Sequence, residues 1–444
     1  MRSYDKYKDS EIFWLPAIPD HWSIDRIKDV SETQSGTTPT SSNRFYYEGG
    51  EYYWIRTTDL NDGELYEVEY KVTDLALKEC RLKFLPVHTL LVAMYGGFGT
   101  IGKNSILKKE STINQSVCAI LPTRYFNPNY VLYFLKYFRN NWKLFADGTR
   151  KDPNINQDAV RNLFFINPPL DEQTAIAEYL DTKTQAIDKK IKLLDKKIGY
   201  YQELHKSLIN ETVTKGLDKT VKLKNSGIDW IGLIPEHWQV KRLKNAGNIE
   251  TSSVNKKIEE DEKLIKLVNY VNVYNNPSKE IWNSGNFMAV SANELQIRSK
   301  RLKKGDALIT PSSETIEDIG VSSIVMENLK NTLYSYHLIR LRFTTDFDIH
   351  FKKYMLNNDK VQYYFSHSAT GTTRKILGLN TFYNLPIVFP PTKKEQEQIG
   401  QFLKNKTSRI DQIITNIQTQ ITTLKELRKT LINDVVTGII KVTA

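Results

Sequence analysis

The chain has 444 residues, of which 40% are hydrophobic and 11% aromatic, and its formal net charge is +11 at neutral pH. This length predicts two to four domains with real cores, and the aromatic content argues against a disordered chain. No apolar run approaches the roughly 18 residues that cross a bilayer, and the amino terminus shows no secretory signal, so we expect a cytoplasmic protein. The two cysteines lie in apolar segments without zinc-ligand spacing, which predicts buried, reduced thiols.

The first element of the chain is a segment that occurs twice. The stretch "SEIFWLPAIPDHWSIDRIK" begins at Ser10, and "SGIDWIGLIPEHWQVKRLK" begins at Ser226. The two copies share the core Ile-Pro-(Asp or Glu)-His-Trp, which chance explains poorly, so they predict an internal duplication. We interpret the repeated histidines, His21 and His237, as packed or capping residues because each stands beside a tryptophan.

The region from about 30 to 165 predicts mixed strands and loops. After the apolar run "TLLVAMY" it contains "GGFGTIGKN" (96–104), which has the spacing of a dinucleotide-binding loop and nearly that of a phosphate-binding P-loop. A P-loop needs a following helix to hold the phosphates and a Ser or Thr after its Lys to hold magnesium. Here Asn104 follows the lysine, and the next residues have no helical period. We therefore interpret the stretch as a glycine-rich turn between strands.

This first region ends in a small basic loop, "DGTRKDPNIN" (147–156), which is followed by "NPPL" (167–170). DNA amino-methyltransferases carry Asn or Asp, two prolines and then an aromatic residue that stacks on a flipped base. Here Leu170 takes the aromatic position, and no glycine-rich loop suited to S-adenosylmethionine is recognisable. The prolines are better explained as the start of a helix.

Two long helices are predicted by a second repeat. "PPLDEQTAIAEYLDTKTQAID" begins at Pro168 and "PPTKKEQEQIGQFLKNKTSRID" at Pro390, and apolar residues then recur at matching intervals of three and four. Such spacing gives each helix an apolar stripe close to a heptad seam. Each helix would have about 40–45 residues, far more than an ordinary globular helix, so its stripe requires a long partner. We predict an antiparallel two-helix coiled coil; the alternative is that each helix packs on its own domain.

The region from about 245 to 388 again predicts strands and loops, and it also ends in a basic loop, "TGTTRKILGLN" (370–380). The stretch "ITPSSETIEDIG" (309–320) stands where the first region has its glycine-rich turn, so we expect the second region to lack that turn. Most of the positive charge lies outside the two helices, among Tyr, Asn, Gln and Thr residues that suit contacts with phosphates and base edges. Repeated segments at both ends of each half, with different sequences between them, are typical of two modules that bind different targets with the same fold.

The order of these motifs is similar to that of the specificity subunits of type I restriction-modification systems. The motifs are "YWIRTTDL", "LLVAMYG" with "TIGK", "INQ", "GTRKDPNIN" and "INPPLDEQTAIAEYLD". The resemblance implies an α+β fold with two mixed α/β target recognition domains, separated by two long helices that form an antiparallel coiled coil with a pseudo-twofold internal repeat. The expected bounds are 1–167 and 217–389 for the recognition domains, and 168–216 and 390–444 for the conserved spacer helices.

The resemblance also implies a non-catalytic role in DNA recognition. Each recognition domain would read one half of a split site on double-stranded DNA. The coiled coil would set the spacing and dock two methyltransferase (modification) subunits, and restriction (translocase-nuclease) subunits would complete the enzyme. Adenine methylation, with the base flipped out, or restriction would occur on these partners, which would bind S-adenosylmethionine, ATP and Mg. This chain would hold no cofactor or metal and would contact no membrane.

The expected DNA contacts are polar side chains on loops beside the predicted strands. In the first domain they are Arg56, Thr57, Thr58, Tyr95, Thr100, Lys103, Asn114, Gln115, Thr149, Arg150, Lys151 and Asn156. In the second they are Asn269, Asn272, Ser312, Ser313, Tyr336, His337, Thr372, Thr373, Arg374 and Lys375. Two rival functions are a self-contained DNA methyltransferase or nuclease, disfavoured by the missing catalytic motifs, and a coiled-coil scaffold that binds no DNA, disfavoured by the basic middle regions.

Overall fold

The computed structural model describes residues 3–96, 99–146, 154–283 and 286–442. The chain divides into two compact units, the first formed by residues 1–194 with 419–444 and the second by residues 195–418. Each unit contains the beginning of one long helix and the end of the other.

The first unit contains twelve strands and the start of the first long helix among its described residues. The strands are β1 Tyr7–Ile12, β2 Leu15–Pro19, β3 Ser23–Arg26, β4 Thr33–Ser35, β5 Tyr52–Ile55, β6 Glu64–Leu65, β7 Lys71–Val72, β8 Leu90–Ala93, β9 Asn104–Leu107, β10 Thr112–Ile113, β11 Val117–Ile120 and β12 Phe164–Asn167. The helices are α1 Ile27–Val30, α2 Asp74–Glu79, α3 Pro128–Phe138, α4 Gln157–Arg161 and α5 Leu170–Lys215.

The second unit repeats this inventory with two more strands in its described part. The strands are β13 Leu223–Asn225, β14 Leu233–Pro235, β15 Gln239–Arg242, β16 Gly247–Thr251, β17 Lys263–Val268, β18 Glu280–Ile281, β19 Met288–Ala292, β20 Ala307–Ile309, β21 Ser312–Ser313, β22 Ser322–Val325, β23 Thr332–Tyr334, β24 Ile339–Phe343, β25 Lys375–Ile376 and β26 Pro386–Phe389. The helices are α6 Tyr270–Tyr274, α7 Glu294–Ser299, α8 Ile349–Leu356, α9 Asp359–Ser368, α10 Leu379–Asn384 and α11 Lys393–Val436.

The two units share one sheet topology. The first has a five-stranded sheet of order β4-β11-β8-β9-β6 and a three-stranded sheet of order β10-β5-β7, and the second has β16-β24-β20-β22-β18 and β23-β17-β19. In both small sheets the middle strand runs parallel to one neighbour and antiparallel to the other. This strand-by-strand match confirms that the chain is duplicated.

The central strands read as continuous apolar runs because both of their faces are buried. Successive side chains of a strand point to opposite faces. Leu90 and Val92 of β8 therefore enter a core shared with α3, whereas Leu91 and Ala93 enter a second core with Ile55 of the small sheet. Each five-stranded sheet is thus the middle layer of its unit.

The apolar stripes of α5 and α11 meet within each unit. In the first unit Ile176 and Leu180 of α5 share a core with Leu431 and Val435 of α11. The corresponding contacts of the second unit are made by Ile209 and Val213 of α5 with Ile399 and Leu403 of α11. The start of each helix packs against the end of the other, which confirms the antiparallel pairing. The same residues also pack on the sheet of their unit, so each long helix contacts both the other helix and its own domain.

The repeated His-Trp motif fastens each unit to the first turn of a long helix. Glu172 of α5 accepts hydrogen bonds from Tyr4 Oη (2.7 Å) and Trp22 Nε1 (3.2 Å), and its other oxygen lies 2.6 Å from His21 Nε2. The equivalent residues of the second unit are Glu395, Trp238 and His237. The tryptophans are buried, whereas the histidine side chains are nearly half exposed. The histidines therefore pair with the helix start and do not belong to the core.

The cysteines differ from each other in burial. Cys118 is buried, and this burial raises the pKa of its thiol to about 12, which keeps it protonated. Cys80 is free like Cys118 but only partly buried, so the expectation of two buried thiols is wrong for this residue. Among the residues that the structure describes, no helix is both long and apolar enough to span a membrane.

Candidate nucleic-acid interface

Several loops of the first unit come together at the carboxyl ends of its strands. Strands β5 and β10 run parallel, so the residues that follow them leave the sheet side by side. Asn114 N donates a hydrogen bond to Ile55 O at 2.9 Å, and Met94 N, after β8, donates to Ser116 O at 2.8 Å. Ile155 N donates to Met94 O at 3.0 Å, which ties the end of the basic loop to the same place.

The glycine-rich stretch forms the turn of an antiparallel hairpin between β8 and β9. Asn104 is buried at the start of β9, so the position where a P-loop would place its magnesium ligand lies inside a sheet. Since a strand and not a helix follows the glycines, the interpretation as a turn is confirmed. Gly97 and Phe98 lie outside the described residues. Tyr95 is exposed, while Thr100 and Lys103 are partly exposed.

The second unit keeps one glycine of this turn, contrary to the expectation from its sequence. Gly102 has φ +72° and donates from N to Ala93 O, and Gly320 has φ +78° and donates from N to Thr310 O. A Cβ atom would fall 2.1 Å from Trp142 at the first position and 2.2 Å from Phe365 at the second. The two loops therefore differ in length and sequence but share a left-handed glycine beneath an aromatic ring.

The structure gathers four predicted residues of the second unit into one cluster. Strand β21 pairs with β25, which sets Ser312 and Ser313 opposite Ile376 and Lys375. Arg374 Nε donates to Ser312 Oγ at 3.2 Å. Arg374 is exposed and Ser312 partly exposed, whereas Ser313 is buried.

Two tyrosines that were not among the predicted contacts complete this cluster. Tyr270 Oη donates to Ser312 O at 3.0 Å, and the Tyr270 ring lies 6.0 Å from the guanidinium of Arg374. Tyr274 stacks on Tyr270 with 5.2 Å between ring centroids. Their spacing of four residues is the helical interval that brings two side chains together, so this signal was available in the sequence.

A second pair of aromatic rings lies in the loop after β23, one of the two parallel strands of the second unit. Ser335 N donates to Val268 O at 3.0 Å, which sets the loop after β23 beside the loop after β17. The next residues, Tyr336 and His337, have ring centroids 3.9 Å apart, and Tyr336 is exposed. Burial, together with the charges of Lys256 and Arg374, lowers the pKa of His337. The imidazole is therefore neutral at physiological pH and offers one donor and one acceptor.

Three predicted residues form local caps. Asn269 and Asn272 bracket the first turn of α6, where Asn269 N donates to Asn272 Oδ1 at 2.8 Å. Asn156 caps α4, since its Oδ1 accepts from Ala159 N at 2.8 Å. These bonds satisfy orphan amides at helix starts and occupy the side-chain oxygens.

Arg56 of the first unit corresponds to Asn269 of the second, and its backbone N likewise donates to the side chain three residues later. Its backbone N donates to Asp59 at 2.8 Å, and its guanidinium lies 3.4 Å from the centre of the Tyr70 ring. Gln115 is exposed and bonded to Thr38, another residue that the sequence did not single out.

The remaining predicted residues that the structure describes are four threonines. Thr57 is partly exposed, and Thr58, Thr372 and Thr373 are exposed. Thr149, Arg150 and Lys151 lie outside the described residues. In the part of the chain that the structure describes, no group of His, Cys, Asp and Glu is arranged to hold a metal ion.

Comparison with known proteins identifies the family. The family model described as type I restriction modification DNA specificity domain matches residues 19–196 and again residues 235–423. The two matches fall in the two halves of the duplication and together span most of the chain. The chain belongs to this family. It is a specificity subunit, which recognises DNA sequence and is a non-catalytic part of a type I restriction-modification system.

Relatives and solved structures agree with this assignment. The MjaIX specificity subunit of Methanocaldococcus jannaschii is 25% identical, with 98% of this chain and 97% of that protein aligned. The EcoKI specificity subunit of Escherichia coli is 23% identical over 74% of this chain and 70% of its own length. A chain from a structural study of complex assembly and conformational transition of the type I restriction-modification system has the same fold. Its TM-score is 0.74 and its identity 14%, with 95% of this chain and 99% of that chain covered. The HsdS subunit of Thermoanaerobacter tengcongensis also has the same fold. Its TM-score is 0.56 and its identity 15%, with 95% of this chain and 98% of that chain covered.

Proposed function

We propose that residues 1–167 and 217–389 are target recognition domains and that each reads one half of a bipartite site on double-stranded DNA. The observation that carries this proposal is the convergence of loops at equivalent strand ends in both units. One topology holds both sets of loops, but their side chains differ. Two modules that present different polar groups from the same frame are suited to reading two different half-sites.

The predicted polar residues are proposed as the DNA contacts, with unequal roles. Donors and acceptors for base edges are provided by Arg374, by Ser312 and Tyr270 beside it, and by His337. Arginine in particular pairs with guanine through two hydrogen bonds, which contributes about 1–3 kcal/mol of discrimination. Capping residues such as Asn269 and Asn156 shape the loops that carry these groups.

The paired helices are proposed as spacers that fix the distance between half-sites and dock two methyltransferase subunits. Linking two readers makes the second engagement intramolecular, so two weak half-site contacts become one strong one. The methyltransferase subunits would bind S-adenosylmethionine and methylate adenines. Restriction subunits would bind ATP and Mg and cut the DNA. All would work in the cytoplasm with the DNA.

The proposal is tested with arginine variants from the two basic loops. The complete chain is assembled with its methyltransferase subunits, and the bipartite site is first defined by methylome sequencing. Arg374→Ala should lower methylation about 5- to 150-fold through the half-site of the second domain, matching a lost base contact. Substrates in which one half-site at a time is altered show which half-site loses its influence.

Arg150→Ala is the reciprocal variant and should affect only the other half-site. Arg242→Ala is the matched control, because Arg242 is exposed in the second unit but lies on β15, away from the loop cluster. Unchanged dependence on both half-sites in the Arg374 and Arg150 variants would contradict the assignment of the reading loops.

A further inference from the structure

Arg374 is a predicted DNA contact whose terminal donors are not used within the protein. The side chain is exposed, and its Nε donates to Ser312 Oγ at 3.2 Å. Among the residues that the structure describes, no acidic side chain forms an ion pair with Arg374, and its terminal nitrogens, Nη1 and Nη2, donate to no other atom. The planar end of the guanidinium is therefore available to a ligand.

The predicted arginine of the first unit that the structure describes is used differently. Arg56 approaches the Asp59 carboxylate to 3.4 Å with both Nε and Nη2, and its guanidinium lies 3.4 Å from the centre of the Tyr70 ring. An acidic partner thus offsets the charge of Arg56 and occupies its donors. Arg374 has a neutral hydroxyl as its partner, so it keeps both its charge and its terminal donors.

The backbone fixes the distance between Arg374 and Ser312. Strand β21, which contains Ser312, pairs with β25, which begins directly after Arg374. Thr370 N donates to Ile376 O at 3.1 Å and Ile376 N to Thr370 O at 2.9 Å, so the loop that carries the arginine is closed at its base. The hydroxyl and the guanidinium are consequently held side by side.

A tyrosine ring further limits where the guanidinium can move. Tyr270 Oη donates to Ser312 O at 3.0 Å, and the ring centroid lies 6.0 Å from the guanidinium of Arg374. Tyr274 stacks on Tyr270, and its own hydroxyl donates to Asp318 at 3.0 Å. The arginine is therefore oriented before DNA binds, which lowers the entropy cost of a specific contact.

Two groups of DNA offer the paired acceptors that an arginine end fits. One is the major-groove edge of guanine, with O6 and N7, and the other is a backbone phosphate. Adenine offers N7 but carries a donor at N6, and cytosine presents a donor at N4, so neither accepts both hydrogen bonds. The surroundings of Arg374 decide between guanine and phosphate.

The acidic side chains near the cluster favour guanine. Glu314, Glu317 and Asp318 are exposed in the loop that follows β21. Burial is the main cause that raises the pKa of Tyr270, and the Glu314 carboxylate adds to it, so this charge acts on the cluster. Asp318 acts on Lys279, whereas Glu314 and Glu317 form no ion pair with any described residue. Carboxylates repel a phosphate at this place but not a base edge, which has no net charge.

The lysines close to Arg374 do not offer the same contact. Lys375 Nζ donates to Gly371 O at 2.8 Å, which places the ammonium against its own loop. Lys256 is exposed, and its charge, like that of Arg374, contributes after burial to the lowered pKa of His337. A lysine presents a single ammonium group and lacks the planar fork of a guanidinium.

We propose that Arg374 reads a guanine of the second half-site through Nη1 and Nη2, and that Ser312 is the positioning residue that orients its guanidinium. The inference rests on the proposed function, because the reading loops must face the major groove. It adds to that function the identity of one base and the residue that aims the side chain at it. A base other than guanine at this position should lower methylation about 5- to 150-fold.

The first test is methylome sequencing of cells that express the complete chain with its methyltransferase subunits. Arg374→Ala should change the recognised site at a single G·C pair, where all four bases become acceptable, and all other positions should stay as they are. In the purified complex, 7-deazaguanine at that position removes N7 but keeps base pairing. It should lower methylation by the unaltered chain roughly 10-fold, the effect of one charged hydrogen bond. The Arg374→Ala complex should not respond to it.

The second test concerns Ser312. Ser312→Ala should reduce the preference for guanine over the other bases about 2- to 12-fold, since one hydrogen bond to the guanidinium is lost. Ser312→Thr keeps the hydroxyl and should restore the preference, which a purely structural effect of the serine would not require. Lys256→Gln is the control, because it removes one nearby positive charge and should leave the preference for each base unchanged.

Several outcomes would overturn the inference. If Arg374→Ala weakens binding equally for all sequences and flattens the slope of log K against log salt by about 0.9, the arginine contacts a phosphate. A relaxed position that is not a G·C pair, or no relaxed position at all, would overturn the assignment of guanine. An unchanged guanine preference in Ser312→Ala would remove the positioning role. If the unaltered chain shows no preference for its site over scrambled DNA, the proposed function itself fails.

Discussion

The two units build the same junction between domain and long helices but surround it with different charges. In the first unit Tyr133 Oη lies 3.1 Å from Thr184 Oγ1 of α5, and in the second Tyr354 Oη lies 3.0 Å from Thr407 Oγ1 of α11. Around these equivalent bonds two of three neighbouring polar residues have changed. Lys136 and Arg428 of the first unit correspond to Asn357 and His205 of the second, whereas Asp188 and Asp411 are alike.

This difference shows which part of the frame is constrained. The tyrosine–threonine bond is buried, and a buried hydroxyl without a partner costs about 1–3 kcal/mol, so both copies retain it. The ion pairs, Arg428–Asp188 at 3.0 Å and His205–Asp411 at 3.7 Å, are partly exposed. Such pairs contribute at most about 1 kcal/mol, which leaves their residues free to diverge.

The largest expected effect concerns the glycine that both hairpins share. Gly102→Ala and Gly320→Ala should each destabilise the protein by about 2–5 kcal/mol, since the new methyl group meets an aromatic ring at a left-handed backbone position. Urea unfolding of the complete chain measures the loss. Gly99→Ala and Gly378→Ala are the controls, because a Cβ at either position meets no atom within 4 Å. A large cost at only one of the two shared glycines would break the equivalence of the hairpins.

This shared glycine also shows how far the sequence could be read. The duplication, the long helices and their antiparallel pairing follow from periodic apolar positions, which persist because they line cores. Gly320 was missed because the loop before it is different in sequence, and only the ring of Phe365 above it reveals its role. Asn269 was expected to contact DNA, but whether an asparagine reads a base or caps a helix depends on where its neighbours lie. Pattern and spacing do not contain that information.

A second prediction concerns pH and the lysine found only in the first unit. Burial, and then the nearby charge of Arg428, lower the pKa of Lys136 from 10.5 to about 8. Between these values Lys136 binds more protons in the unfolded chain than in the folded one, so its contribution to the free energy of unfolding rises as pH rises from about 8 towards 10.5, whereas the buried Cys118 thiol contributes in the opposite direction. Since the side chain is partly exposed, we expect a gain of only about 1 kcal/mol.

Lys136→Asn, which installs the residue of the second unit, should remove this contribution of Lys136. Unfolding of the unaltered chain and of the variant is measured at intervals from neutral pH to about 9.5, and the difference between the two curves isolates Lys136 from the Cys118 thiol and the tyrosines, which titrate in both. Lys143→Asn is the control, since Lys143 is nearby in the chain and exposed. A difference between the unaltered chain and the Lys136 variant that does not change with pH would contradict the assignment.

The smallest expected effect comes from making the second ion pair like the first. An imidazole carries a charge only when it is protonated, whereas a guanidinium is always charged. His205→Arg should therefore stabilise the protein by roughly 0.2–1 kcal/mol at pH 8, and the gain should shrink as salt rises from about 0.05 M to about 0.5 M.

The decisive comparison for this substitution repeats it in an Asp411→Asn background. If the stabilisation comes from the pair with Asp411, it disappears there, and the double-mutant cycle returns a coupling energy close to the single-variant gain. A gain that persists would place its origin in another acidic group on α5 or α11. The junctions of the two units would then differ in more than the pair that replaces Arg428 with His205.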